Sequence, residues 1–145
     1  MRQGMRKDYL RCKAKAMFRL LLVEDNEANR DMLSRRLTRH GYDVVCAVDG
    51  PDGVAKAADS RPDLILMDIA LGEMDGWEAI RMIKASGRAS EVPIIVLTAH
   101  ALAADRNKSA EMGCAGFETK PVDLPRLLSK IEASLTRYSA RACSA

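Results

Sequence analysis

Four short stretches hold the residue types that could do chemistry, and each comes where a buried strand should end. Glu24 and Asp25 follow the run 20–23, Asp68 follows 64–67, Thr98 follows 94–97, and Lys120-Pro121 follows 116–119. If the runs are parallel strands, their carboxyl ends meet on one edge of one sheet. That edge then holds three carboxylates, a hydroxyl and an ammonium. Carboxylates so close repel one another, and some take up protons unless a cation intervenes. Mg²⁺ suits such a place, because it binds one or two carboxylates, keeps several waters and then engages a phosphate. A carboxylate such as Asp68 can also act as a nucleophile toward phosphorus and give an acyl phosphate. That transfer needs positioning and charge neutralisation more than covalent help. Thr98 could donate its hydroxyl to a phosphoryl oxygen, and Lys120 could neutralise another after pairing with Asp68 in the resting state. Taken singly, each group has a plainer reading: a solvated acidic rim, a capping threonine, a surface lysine. At matching strand ends they point together to a phosphoryl-accepting site.

The elements that must position these groups are written in the hydrophobic pattern. Residues 18–23, 42–47, 63–67, 92–97 and 115–119 read as strands, and the run LILM at 64–67 lacks alternation, as a strand covered on both faces does. Helices are expected over 27–40, 51–59, 76–86, 102–112 and 124–138. Ala28, Met32, Leu33 and Leu37 fall on one side of the first, and Leu124, Leu127, Leu128, Ile131 and Leu135 form a stripe on the last. Gly41 and Gly113 stand where left-handed residues end helices. Asp123 is placed to cap the last helix, with Pro125 tolerated in its first turn. Strict alternation of five strands and five helices predicts an α/β, doubly wound parallel sheet with right-handed crossovers and helices on both faces. The flavodoxin-like order 2-1-3-4-5 is the common solution at this size, with its site at the carboxyl strand ends.

Composition narrows the class. At 145 residues, 48% hydrophobic and 30% charged, the chain fits one globular domain, and at 4% aromatic its core must be aliphatic. No apolar run is long enough to span a bilayer, and no secretory apolar core opens the sequence, so a cytoplasmic protein is expected. Cys12, Cys46, Cys114 and Cys143 are scattered and accompany two histidines, which suggests reduced thiols rather than a zinc site or disulfide framework. The net charge of +3 hides an asymmetry: residues 1–16 carry six cations against Asp8 alone, and the remainder is acidic. A basic arm could touch nucleic acid or a membrane surface, but no aromatic interleaving supports that. The division expected is a basic leader or extended start at 1–16, a domain over 17–138 and a short tail at 139–145.

The stretches LLLVEDNEANR, DLILMDIALGEMDGWE, PIIVLTAHA and GFETKPVD, in that order and spacing, resemble the receiver domains of two-component response regulators. The resemblance covers about residues 18–138. It implies that Asp68 is the phosphoacceptor, with Glu24 and Asp25 as the acidic pair that holds Mg²⁺ and the backbone carbonyl of Ala70 completing the protein's share of the metal shell. It gives Thr98 the switch hydroxyl, Lys120 the phosphate-pairing role, Lys120-Pro121 a cis peptide and Phe117 the switch aromatic. Two positions depart from the usual pattern. Gly72 replaces the customary proline in the loop after the acceptor, which loosens that loop. The other is His100, two residues after Thr98, a position that with Ala70 flanks the phosphoryl group in the family and influences its lifetime. His100 could orient the hydrolytic water, although an exposed loop imidazole is the plainer reading.

The expected function is that of a single-domain switch. A sensor histidine kinase or histidine phosphotransfer protein donates to Asp68, and a protein target reads the fourth helix, fifth strand and last helix. No DNA-binding domain or membrane span is expected, and the protein would be a monomer or weak dimer. It would catalyse only its own phosphorylation and dephosphorylation. One alternative is a receiver-like interaction module that works without phosphate. The other, an aspartate-nucleophile Mg²⁺ phosphatase, wants a second aspartate two residues after Asp68, where this chain has Ala70.

Overall fold

The computed structural model describes residues 18–72, 74–99 and 102–144; the leader expected at 1–16 and His100 lie outside these. Five strands, β1 (Arg19–Val23), β2 (Asp43–Ala47), β3 (Leu64–Asp68), β4 (Ile94–Thr98) and β5 (Gly116–Thr119), alternate with five α-helices. These are α1 (Glu27–Arg39), α2 (Gly50–Asp59), α3 (Gly76–Lys84), α4 (Ala103–Glu111) and α5 (Leu124–Ser144). The strands form one sheet in the order β2-β1-β3-β4-β5, every neighbouring pair parallel. This is the doubly wound arrangement expected from the alternation.

The unbroken apolar runs serve two faces at once, because successive side chains of a strand point to opposite sides. Leu21, Val23, Ile65, Met67, Ile94 and Val96 pack on one side with Ala57 of α2 and Trp77, Ile80 and Ile83 of α3. Leu20, Leu22, Leu64, Leu66, Ile95 and Leu97 pack on the other with Leu33 and Leu37 of α1 and Leu127, Ile131 and Leu135 of α5. All twelve of these strand side chains are fully buried, each contributing about 1.5–3 kcal/mol of transfer free energy. Four of the five helix starts are fixed by capping side chains. Asn26, Asp49, Asp75 and Asp123 each accept a hydrogen bond from the backbone N–H three residues on. Gly41 and Gly113 turn the chain out of α1 and α4 with φ of 93° and 73°.

Three expectations need correction. Ala28 and Met32 do not join the buried stripe of α1, and Met32 is 48% exposed. The first turns of α1 lie past the carboxyl end of β1, so only Leu33 and Leu37 reach the sheet. The last helix does not stop at residue 138 before a tail, but runs to Ser144. The sequence SARACS holds no glycine or proline to break it, and two of its residues are alanine, the best helix former. The loop expected between α3 and β4 contains a 3₁₀ turn, Gly87–Glu91, which buries Ala89 beside Val92.

Candidate functional site

The register of the sheet decides which groups meet. Val23 is level with Met67, and Asp68 is level with Leu97. Glu24, Asp68 and Thr98 therefore leave three adjacent strands at nearly one height. Thr98 is level with Thr119, and the N–H of Lys120 donates to the carbonyl of Thr98 at 2.7 Å, which sets Lys120 at the same edge. The Lys120-Pro121 peptide is cis.

The side chains converge. Glu24, Asp25 and Asp68 each offer a carboxylate oxygen, all within 4.8 Å of one another. Lys120 Nζ donates to Glu24 Oε2 at 2.8 Å and to Asp68 Oδ2 at 2.9 Å. The other Asp68 oxygen accepts from the N–H of Ala70 at 3.0 Å. Glu24, Asp68 and Thr98 are 3%, 2% and 4% exposed, while Asp25 faces solvent. The site is thus a largely dry floor of two carboxylates under one exposed carboxylate at the mouth.

Its electrostatics follow from that geometry. Burial, and then a hydrogen bond shared with Asp68, raises the Glu24 carboxyl above its ordinary 4.5 against the pull of Lys120. Burial works against the charge of Lys120, yet its hydrogen bonds to Asp68 and Glu24 and their attraction outweigh that and raise its pKa. Three carboxylates against one ammonium leave the edge short of positive charge. An all-oxygen donor set of this kind suits a hard divalent cation. The chemistry open to it is oxyanion binding through that cation and Lys120, with Asp68 as an available nucleophile.

The remaining candidates are distributed around this centre. Phe117 is half-buried on β5, level with Val96 and hence on the same face of the sheet as Thr98. A Cβ added at Gly72 would meet nothing within 4 Å, and Gly72 does not adopt a positive φ, so neither crowding nor backbone conformation requires glycine there. A groove of about 550 Å³ opens beside Glu24 and Lys120, lined by Met32, Leu33, Pro121 and Val122 among others. The exposed Met32 of α1 is one wall of it.

The response regulator receiver domain profile matches residues 20–132. The chain belongs to the response regulator receiver family. The response regulator PleD of Caulobacter vibrioides is 38% identical over 120 residues, 83% of this chain and 26% of PleD. Protein PilH of Pseudomonas aeruginosa is 35% identical over 119 residues, 82% of this chain and 98% of PilH. The receiver thus spans about a quarter of one relative and nearly all of the other. Among solved structures it resembles the receiver domain of sensor histidine kinase PA1611 from Pseudomonas aeruginosa PAO1, with a TM-score of 0.75 and 36% identity. That match covers 81% of this receiver and 97% of the other chain, which holds a magnesium ion coordinated in its active site cleft. Among the described residues no helix is long and apolar enough to cross a membrane.

Two features escaped the sequence reading. Gly76 brings the start of α3 against the end of β3, where an added Cβ would overlap the Asp68 carbonyl oxygen and lie 2.6 Å from Ile69 Cα. Glu118, 2% exposed, is held by Arg126 and Lys130 of α5 at 2.8 and 2.9 Å. The Arg126 contact includes an aligned Nε–H hydrogen bond, whereas Lys130 meets Oε2 as an ion pair without hydrogen-bond alignment. The i, i+4 spacing of the two cations opposite an acidic strand residue was the available signal, but it required knowing that α5 covers β5.

Proposed function

We propose that this receiver takes a phosphoryl group onto Asp68 from the phosphohistidine of a sensor kinase or phosphotransfer protein. The observation that carries the reading is the bridging of Asp68 and Glu24 by Lys120 within a cluster of three carboxylates. Glu24, Asp25, Asp68 and the carbonyl of Ala70 would hold Mg²⁺, which when bound supplies charge neutralisation for the phosphoryl oxygens. A carboxylate oxygen of Asp68 attacks phosphorus as the P–N bond to the donor imidazole breaks. The electron pair of that bond leaves with the imidazole, which takes up a proton. Lys120 moves its donors from the free carboxylate to a phosphoryl oxygen, and Thr98 donates its hydroxyl to another. Hydrolysis returns the carboxylate when water attacks the same phosphorus, with Ala70 and His100 as the positions that set its pace.

The acyl phosphate then shifts a two-state equilibrium at α4, β5 and α5, where a protein target binds. Phe117 follows Thr98 inward in that transition. The donor docks over the mouth of the site, beside the groove lined by Met32 and Val122. Both partners act in the cytoplasm, and the receiver turns over no external substrate. The test is intact mass after incubation with acetyl phosphate. One phosphoryl adduct is expected with Mg²⁺ present and none without it or in Asp68→Asn. A protein that stays unmodified while binding Mg²⁺ would leave docking without phosphate as the reading.

A further inference from the structure

Helix α4 lacks the apolar stripe that holds a surface helix on a sheet. Of its nine residues, AADRNKSAE, only Ser109 is buried, and Ala103, Ala104 and Ala110 all face solvent. Its capping position is Leu102, 61% exposed and without a side-chain capping bond. By contrast α3 buries Trp77, Ala79, Ile80 and Ile83. The specific contacts that α4 does make are of another kind. Arg106 lies over the ring of Phe117 at 5.6 Å from its centre, and Lys108 lies over the ring of Trp77 at 5.2 Å. Residues two apart project about 200° from each other around a helix, so one cation reaches β5 and the other reaches α3. Both side chains are exposed, and neither has a hydrogen-bond or ion-pair partner among the described residues. The two rings are the groups that engage them.

We propose that Arg106 and Lys108 are positioning residues that pin α4 in the unphosphorylated arrangement. The proposal rests on the reading of Asp68 as phosphoacceptor and Phe117 as switch aromatic, and adds to it what opposes the switch. Phe117 shares a sheet face with Thr98 one strand away. A ring that turns toward Thr98 leaves the guanidinium of Arg106 behind, so that contact exists in one state only. A cation over an aromatic face at an exposed site biases an equilibrium by about two- to five-fold. The lysine over Trp77 anchors the other flank of α4, and any displacement of the helix from α3 breaks it. The latch therefore resists activation modestly, and a ligand with a preference for the switched state overcomes it.

The sign of the effect makes the test decisive. Beryllium fluoride, a phosphoryl analogue, is titrated in the presence of Mg²⁺ into the parent chain, Arg106→Gln, Arg106→Lys and Lys108→Gln, and the melting temperature of each Mg²⁺-free protein is recorded. The expected result is a roughly two- to five-fold tighter binding of the analogue by Arg106→Gln and Lys108→Gln, with a lowered melting temperature. Arg106→Lys, which keeps a cation, returns toward the parent. In a Phe117→Leu background, Arg106→Gln should no longer change the affinity. Lys108→Gln should also alter the emission of Trp77, the one tryptophan of the chain. A lower melting temperature with unchanged or weaker analogue binding would mark a merely structural role and overturn the latch while leaving the function reading intact. Failure of the parent to bind the analogue or to take phosphoryl from acetyl phosphate would overturn the function reading itself, and the latch with it.

Discussion

At the scale of single residues, the site is a competition for charge. Burial, and then the hydrogen bond with Asp68, raise the Glu24 pKa, while the Lys120 ammonium that the two carboxylates share pulls it down. A carboxyl whose folded pKa exceeds its unfolded value of about 4.5 favours the folded state most at low pH, and that contribution fades as pH rises through the folded value. Lys120 is also raised, but its loss falls above its ordinary 10.5, outside the same window. In metal-free protein Glu24 should therefore cost stability increasingly as pH rises above its ordinary value. Mg²⁺ bound as proposed would need the ionised carboxylate and would offset that cost. The gain in melting temperature on adding saturating Mg²⁺ should grow as pH rises through this range. Glu24→Gln should be more stable than the parent at pH 8 without metal, and should lose much of the Mg²⁺ gain. Paired thermal melts across this range check it, and a Mg²⁺ gain independent of pH would count against the raised carboxyl.

At the scale of elements, two glycines four residues apart in the loop and helix start after Asp68 have opposite meanings. Gly76 sits where the start of α3 meets backbone atoms of Asp68 and Ile69, so a Cβ there has no room. Gly76→Ala should cost about 1–3 kcal/mol and weaken Mg²⁺ binding by shifting the end of β3 at Asp68 and the loop that carries Ala70. Gly72 has open space and no positive φ. Gly72→Ala should leave the site intact and stabilise the chain by about 0.4–1 kcal/mol through the unfolded state. Denaturant titrations of the two variants separate these outcomes, and equal losses would contradict the difference in packing. The β5–α5 pair gives a second asymmetry. Glu118 is buried while Arg126 and Lys130 reach it from the surface. Replacing the acid by an apolar residue, Glu118→Leu, removes a desolvated charge and should change stability by no more than about 1 kcal/mol. Removing both cations strands the buried carboxylate and should be clearly more destabilising, as chemical denaturation of the two variants would show.

At the scale of the whole molecule, the chain divides into a scaffold that its sequence declares and a surface that it does not. Strand order and the meeting of Glu24, Asp68 and Lys120 were legible because runs such as LLLV and LILM are too apolar to lie anywhere but inside, and the polar residue directly after each run fixes its end. Met32 and the end of α5 were misjudged, since periodicity tells which residues share a side but not how far a helix overhangs its sheet. The ring contacts of Arg106 and Lys108, and the burial of Glu118, depend on neighbours distant in sequence, which no local pattern encodes. That division should appear in amide hydrogen exchange. Residues 20–23, 64–67 and 94–97 are fully buried in the sheet, so their amides should exchange only through global unfolding. Helix α4 buries one side chain and should open locally, orders of magnitude more often. If Mg²⁺ is held as proposed by residues at the ends of β1 and β3, it would stabilise the folded state by about 2.7 kcal/mol at a concentration 100 times its dissociation constant. It should therefore slow exchange of the β1, β3 and β4 amides by roughly 100-fold while leaving α4 almost unchanged. If α4 were instead as protected as β3, the helix would be part of the rigid core, and a switch built on its displacement would need a far larger driving force than one phosphoryl group's contacts with Thr98 and Lys120.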